Sequence, residues 1–279
     1  MEFKTETPTL VFDGISTATN DLPAKADNEM KEEIILSEEE KAQVEAFAKQ
    51  IDLSNSTAIL NYGAGTQKKL SKITEELSFI QQFCDDFKSK TGIRSLEIEY
   101  GPGLSYDYFS LKEEESNYSE AESLSKLLKD SSYTFVIELG RYIASACGKY
   151  ITKIVDVKGD EKNHYCLIDG GINHINYYGQ MMGMKNPKVN HIAKNQNKQE
   201  TKNYTIAGSL CTTADIVLRQ LPLSSPEIGD LLVFNDIGAY SITEGIYLFL
   251  SHPLPVVLVN DNDKISMLRK AVETYIINA

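Results

Sequence analysis

From Lys72 to Ile137 the chain alternates helix and strand patterns, and after Gly148 strands follow one another with turns between them. Leu77, Ile80, Cys84 and Phe87 fall on one helical face that ends near Gly92. Leu96, Ile98 and Tyr100 then alternate with Glu97 and Glu99, as in a strand buried on one side. Ser119-Glu-Ala-Glu122 opens a second helix bearing Leu124, Leu127 and Leu128, and an apolar strand over 133–137 ends at Glu138. Repeated helix–strand units imply a parallel sheet or barrel whose sites lie at the carboxyl ends of its strands. Strand patterns then occupy 150–157, 165–168, 204–207, 216–221, 231–234 and 256–259, which suits a small β-barrel or sandwich. A helix is expected around 265–274.

The first stretch, to about Ile35, has few large apolar residues and reads as a flexible arm. Ser37-Glu-Glu-Glu40 forms a capping box ahead of Val44, Phe47, Ala48 and Ile51 on one helical face. Asp52-Leu-Ser-Asn-Ser56 is placed to cap a second short helix through Ile59 and Leu60, and 66–70 resumes helical composition. The expected fold class is α+β multidomain: a helical amino-terminal arm over 1–71, a partial (β/α)8 barrel over 72–147, and a β-barrel-like domain over 148–279. An unclosed barrel leaves strand edges and apolar faces uncovered, which predicts poor solubility or obligate association.

A net charge of -12 opposes nucleic-acid or anionic-membrane partners, since a phosphate backbone would be repelled. No run approaches ~20 apolar residues and the amino terminus lacks a basic start followed by an apolar segment, so a cytoplasmic location is expected. The four cysteines have no CxxC spacing and the four histidines no helical pairing, which predicts neither a disulfide framework nor a metal site.

Five short motifs carry the chemistry that can be read from residue types. Glu99-Tyr-Gly-Pro-Gly103 leaves a strand with bare backbone able to meet an anion, or is an ordinary strand-exit turn. Glu138-Leu-Gly-Arg141 offers a carboxylate and a guanidinium around a flexible residue, or a surface ion pair. Cys211-Thr-Thr-Ala-Asp215 sets a thiol one turn from a carboxylate, with a structural cysteine as the alternative. Gly238-Ala-Tyr240 presents a phenol able to donate to phosphate, one of 15 tyrosines. Asp169-Gly-Gly171 alone is a strand-to-turn signal.

In their order, and across the change from α/β to mostly β structure, these motifs resemble the back half of the pyridoxal-phosphate decarboxylases of the diaminopimelate, ornithine and arginine group. The texture of Ile168-Asp-Gly-Gly-Ile-Asn-His174 and Gly208-Ser-Leu-Cys-Thr-Thr213 is similar to the branch acting on amino acids tethered to carrier proteins. The resemblance implies pyridoxal 5'-phosphate as cofactor, with Gly101, Gly103, Gly140, Arg141 and Tyr240 on its phosphate and Glu138 facing its ring nitrogen. It implies that Cys211 protonates the carbanion in a neighbouring subunit's site, that Asp215 and Asp169 lie near the same substrate end, and that the protein is a homodimer or is completed by another chain. Thr212 stands where members reading basic side chains carry an acid, which implies a small non-basic or carrier-tethered amino acid. The family's cofactor lysine and ring-stacking histidine would precede Lys72, where no matching motif occurs. Thr7-Pro-Thr-Leu-Val-Phe-Asp13 and the stretch from Leu36 to Lys69 instead resemble the start of the toxic-anion (tellurite) resistance family, which implies a junction near Ser71. The alternative function is a non-catalytic dimerisation or ligand-binding protein with a helical arm.

Overall fold

The computed structural model describes residues 9–13, 57–63, 68–109, 117–195, 200–262 and 264–278. The expected capping-box helix over 37–51 and most of the arm lie outside them. The chain divides into two compact units, Met1–Ser105 with Glu114–Tyr142, and Tyr106–Glu113 with Ile143–Ala279.

The first unit is a four-stranded sheet in the order β1-β2-β3-β4, made of β1 (Thr9–Asp13), β2 (Thr57–Gly63), β3 (Ser95–Gly101) and β4 (Thr134–Ile137). All three pairings are parallel. Helix α1 (Leu70–Thr91) connects β2 to β3, and α2 (Asn117–Lys129) lies between β3 and β4 in the chain. Ile73, Leu77, Ile80 and Cys84 of α1 bury one stripe against Leu96, Ile98 and Tyr100 of β3. Full burial contributes about 1.5–3 kcal/mol for each large aliphatic side chain. The helix stops at Gly92, whose left-handed backbone lets its N–H reach Lys88 O.

Three expectations fail in this unit. The stretch read as a flexible arm contributes strand β1, paired in parallel with β2 from Thr9↔Thr57 to Asp13↔Asn61. The short helix anticipated through Ile59 and Leu60 is strand β2, paired residue for residue with β3 from Thr57↔Ser95 to Gly63↔Gly101. The Asp52–Ser56 cap signal loses to tertiary pairing, because Leu60 and Tyr62 pack into the α1–β3 core. Lys68, expected in a helix, sits in an isolated parallel bridge to Leu104, and α1 starts two residues later. The parallel sheet therefore reaches into the segment assigned to a helical arm.

The second unit is a six-stranded sheet in the order β7-β10-β5-β6-β8-β9. Its strands are β5 (Lys149–Gly159), β6 (His164–Ile168), β7 (Val189–Ile192), β8 (Thr201–Ala207), β9 (Ile216–Ser224) and β10 (Leu231–Asn235). Only β6 and β8 pair in parallel. Tyr150, Thr152 and Ile154 turn inward from β5 while Ile151, Lys153 and Val155 turn outward, the period of two that one buried face requires. The core gathers Ile154, Cys166, Ile168, Ile206, Leu218, Leu232 and Phe234, and burial pushes the Cys166 thiol up to about 12.

The helix expected over 265–274 is instead β12 (Lys264–Arg269), hairpinned to β11 (Val257–Asp261), followed by the short helix α4 (Tyr275–Asn278). Short apolar runs fit both periods, and pairing decides between them. Strand β7 left no clear signal, since Val-Asn-His-Ile becomes a strand through its ladder to β10. Among the described residues, no helix is long and apolar enough to cross a membrane.

Candidate functional site

In the first unit, register brings three predicted residues to neighbouring strand ends. Tyr100 pairs with Ile137, and the ladder continues as the Glu138 N–H donates to Tyr100 O at 3.0 Å. Glu138 thus emerges beside Gly101, on the side of the sheet opposite the helix-facing Ile98 and Tyr100. One row back on that side, Asn61 Nδ2 donates to Glu99 Oε2 at 3.3 Å. The turn after β3 is bare: a Cβ built on Gly101 meets nothing closer than Gly63 Cα at 3.8 Å, and Gly103 has φ 64°. Exposed Glu138 and this turn leave room for a ligand at carboxyl strand ends. Gly140 and Arg141 open the short helix α3 (Gly140–Ala144) just after Glu138 and Leu139.

In the second unit the predicted residues separate into two presented side chains, Cys211 and Tyr240, and two supports, Asp215 and Asp169. Asp215 is 2% exposed. Its Oδ1 accepts the Ile172 N–H at 2.9 Å and its Oδ2 the Leu210 N–H at 2.8 Å. Its backbone carbonyl accepts the Gly208 N–H at 2.9 Å, and Ser209 N–H reaches Gly170 O at 2.7 Å. The segment 208–215 is thereby folded back on itself, with Cys211 exposed on its outer side. Thr212 Oγ1 accepts the Ala214 N–H at 3.2 Å and so belongs to the loop's own bonding. Burial raises the Asp215 carboxyl against the lowering effect of its two N–H donors. Asp169 is also a support: its Oδ1 accepts from Thr152 Oγ1 at 2.6 Å and from the Lys153 N–H at 2.9 Å.

Tyr240 is exposed and holds φ 60°. Its carbonyl accepts the Glu244 N–H at 2.9 Å and Thr243 Oγ1 at 3.0 Å, which fixes the turn that carries it.

Sequence reasoning assigned no site role to Tyr150, His174, Gly171 and Gly208, although the last three lie in stretches it singled out. A Cβ on either glycine would run into the Asp215 carboxylate, so the second glycine of Asp169-Gly-Gly171 marks a close approach. A glycine pair facing a later buried aspartate was the available signal. His174 Nε2 lies 3.0 Å from Pro253 O, and Nδ1 lies 2.8 Å from the Tyr150 hydroxyl. A carbonyl only accepts, so Nε2 carries the proton and Tyr150 donates to Nδ1. Burial lowers His174 from its ordinary 6.5. The unfolded chain therefore binds this proton more readily than the folded one. The stabilising effect is complete above about pH 6.5 and fades as the pH falls towards the folded value. Between about pH 8 and pH 5, wild type should lose more stability than His174→Gln. Urea unfolding at both pH values measures this, and parallel losses would count against it.

Residues 141–238 match the family model described as pyridoxal-dependent decarboxylase, C-terminal sheet domain. The L-glutamyl-[BtrI acyl-carrier protein] decarboxylase of Niallia circulans is 24% identical over 217 residues, covering 74% of this chain and 51% of that protein. The diaminopimelate decarboxylase of Methanocaldococcus jannaschii is 26% identical over 179 residues, covering 62% of this chain and 40% of that one. The solved diaminopimelate decarboxylase from Helicobacter pylori, complexed with L-lysine, matches with a TM-score of 0.66 at 22% identity, covering 85% of this chain and 58% of that one. The chain spans about half the length of the curated relatives it matches.

Proposed function

We propose, for a chain whose residues 141–238 match the model of a pyridoxal-dependent decarboxylase C-terminal sheet domain, that it forms the phosphate-holding and proton-donating part of an amino-acid decarboxylase site whose anchoring lysine comes from another polypeptide segment. The observation that carries this reading is in the first unit: a bare glycine turn after β3 with Glu138 beside it on the next strand end. That pairing fits a phosphorylated pyridine. Amide groups of the 101–103 turn, with Gly140 and Arg141, take the phosphate, and Glu138 faces the ring nitrogen and keeps it protonated. When bound, the pyridoxal ring withdraws the electron pair left on the α-carbon as carbon dioxide departs.

The second unit contributes Tyr240 as a phosphate donor and Cys211 as the thiol that returns a proton to the α-carbon, across the interface of a homodimer. Asp215 and Asp169 act through the loops they hold, so they are positioning residues. Thr212, uncharged, suits a substrate without a distal cation, which agrees in kind with a relative named for a carrier-bound glutamyl group. The amine is the part that does not fit within the described residues of the first unit. Lys68 faces Glu76 of α1 at 2.6 Å and is 14% exposed.

A titration of the full chain with pyridoxal 5'-phosphate, followed by borohydride reduction and peptide mass spectrometry, tests the reading. Saturable binding is expected, weakened about tenfold by Glu138→Gln through loss of one charge-assisted hydrogen bond, without a stoichiometric lysine label. One stoichiometrically labelled lysine would show that the chain carries its own anchor. No saturable binding would favour the second reading, a non-catalytic association module. The observation behind that alternative is the β11–β12 hairpin, where Leu258, Ile265, Met267 and Leu268 are all exposed.

A further inference from the structure

Lys68, Glu76 and Tyr100 form a buried polar chain that the decarboxylation scheme leaves unused. Lys68 Nζ lies 2.6 Å from Glu76 Oε1, and the Tyr100 hydroxyl donates to Glu76 Oε2 at 2.8 Å. The Lys68 and Glu76 side chains are 14% and 7% exposed and Tyr100 is fully buried. The sequence positions of these groups make the arrangement informative. Tyr100 immediately precedes the Gly101-Pro-Gly103 turn. On the turn's other side, the Lys68 N–H donates to Gly103 O at 2.9 Å, and Lys68 bridges to Leu104. Both shoulders of the turn are thus tied to one carboxylate on α1, one through a side chain and the other through the backbone of the ion-paired lysine.

We propose that Lys68, Glu76 and Tyr100 are positioning residues that clamp the Gly101–Gly103 turn in the shape its amides need to receive a phosphate. The proposal rests on the phosphate assignment made above for that turn. Its physical basis is that glycine backbone is the least restrained in the chain, so donors presented from it bind an anion well only when something else fixes them. Lys68 is neutralised by Glu76 and takes no direct part in anion binding. Burial lowers its tendency to hold a proton, and the Glu76 contact offsets that. An ion pair in this setting contributes geometry more than net stability, and replacing both partners by apolar residues is often tolerated.

That last property supplies the test. The full chain is compared with Tyr100→Phe and with Lys68→Met/Glu76→Met, a double substitution that keeps volume while removing both charges. Amide hydrogen exchange at 101–104 reads the order of the turn, and chemical-shift titration of the Gly101 and Gly103 amides with inorganic phosphate reads the site. The double variant is expected to unfold a few degrees below wild type, because the buried Tyr100 hydroxyl loses its acceptor, to exchange these amides at least tenfold faster, and to bind phosphate about tenfold more weakly, as for the loss of one well-aligned charged hydrogen bond. Tyr100→Phe should show a smaller loss in the same direction. If wild type binds phosphate at the two glycines and the double variant matches it in exchange and affinity, the clamp is overturned. If wild type shows no shift at those glycines although their amides are protected, the phosphate assignment falls, and the positioning role falls with it.

Discussion

Asp215→Ala should destabilise the second unit by about 3–5 kcal/mol, because two backbone N–H groups that now bond a buried carboxylate would lose their acceptor. The Ile172 and Leu210 donors come from separate segments, and Asp215 is their shared acceptor. Alanine also leaves a void against Gly171 and Gly208, whose lack of side chains is what lets the carboxylate fit. Asp215→Asn is the graded comparison. Its one carbonyl oxygen can accept from a single N–H while its amide group faces the other, so about half of the loss should remain.

The pH dependence separates this effect from generic loosening. Burial raises the Asp215 carboxyl above its ordinary 3.8, so the folded protein holds that proton more tightly than the unfolded chain. Its contribution is then greatest below pH 3.8 and declines as the pH rises through the folded value. Wild type should show that decline and Asp215→Asn should not. Equal urea midpoints for wild type and Asp215→Ala would defeat the claim that this carboxylate holds the Cys211 loop. For the proton-donating role proposed for Cys211 the consequence is indirect, since that role depends on the loop that aims the thiol.

Apart from β7 and the short helix α3, the strands and helices between 72 and 234 were legible because burial imposes their period. Leu77, Ile80, Cys84 and Phe87 could be placed on one face of α1, since that face is apolar in sequence and packs into the core, and the strand expected over 150–157 lies within β5. Strand β2 was misread because its capping signal is local, while the pairing that makes it a strand comes from β3, nearly 40 residues later. Strand β11 was anticipated over 256–259, but its hairpin partner β12 was misread for a related reason. Its apolar residues remain largely exposed, so no buried face disciplines their spacing. At the site, residue types pointed to Cys211, Glu138 and the glycine turn. What each aspartate does was not legible, because a carboxylate that bonds two backbone amides and one that meets a substrate have the same letter. The glycines hold part of that information: Gly171 and Gly208 are small because Asp215 is near, a relation between positions 44 and 7 residues apart in the chain.

Gly238→Ala should cost about 2–4 kcal/mol, since the added methyl meets backbone that has nowhere to move. A Cβ there would overlap the Ala144 carbonyl oxygen, lie 2.7 Å from Cys147 Sγ and 2.9 Å from Gly148 N. This packing is drawn tight by hydrogen bonds from the Gly238 N–H to Ser145 O at 2.9 Å and from the Ile237 N–H to Gly148 O at 3.1 Å. The loop must therefore shift as a body, and it carries Asp236 and Tyr240, both held at left-handed φ values of 62° and 60°. Non-glycine residues occupy that region only when their surroundings impose it, so loosening Gly238 should also release Tyr240. Two measurements check this together: the urea midpoint of Gly238→Ala, and its affinity for pyridoxal 5'-phosphate, to which Tyr240 is assigned. Gly63→Ala is the control for alanine itself, because a Cβ at Gly63 meets nothing within 4 Å. A strand glycine in open space should accept alanine within about 0.5 kcal/mol. If Gly238→Ala is as mild as Gly63→Ala, the loop is not held as described and Tyr240 loses its claim to a fixed place at the phosphate.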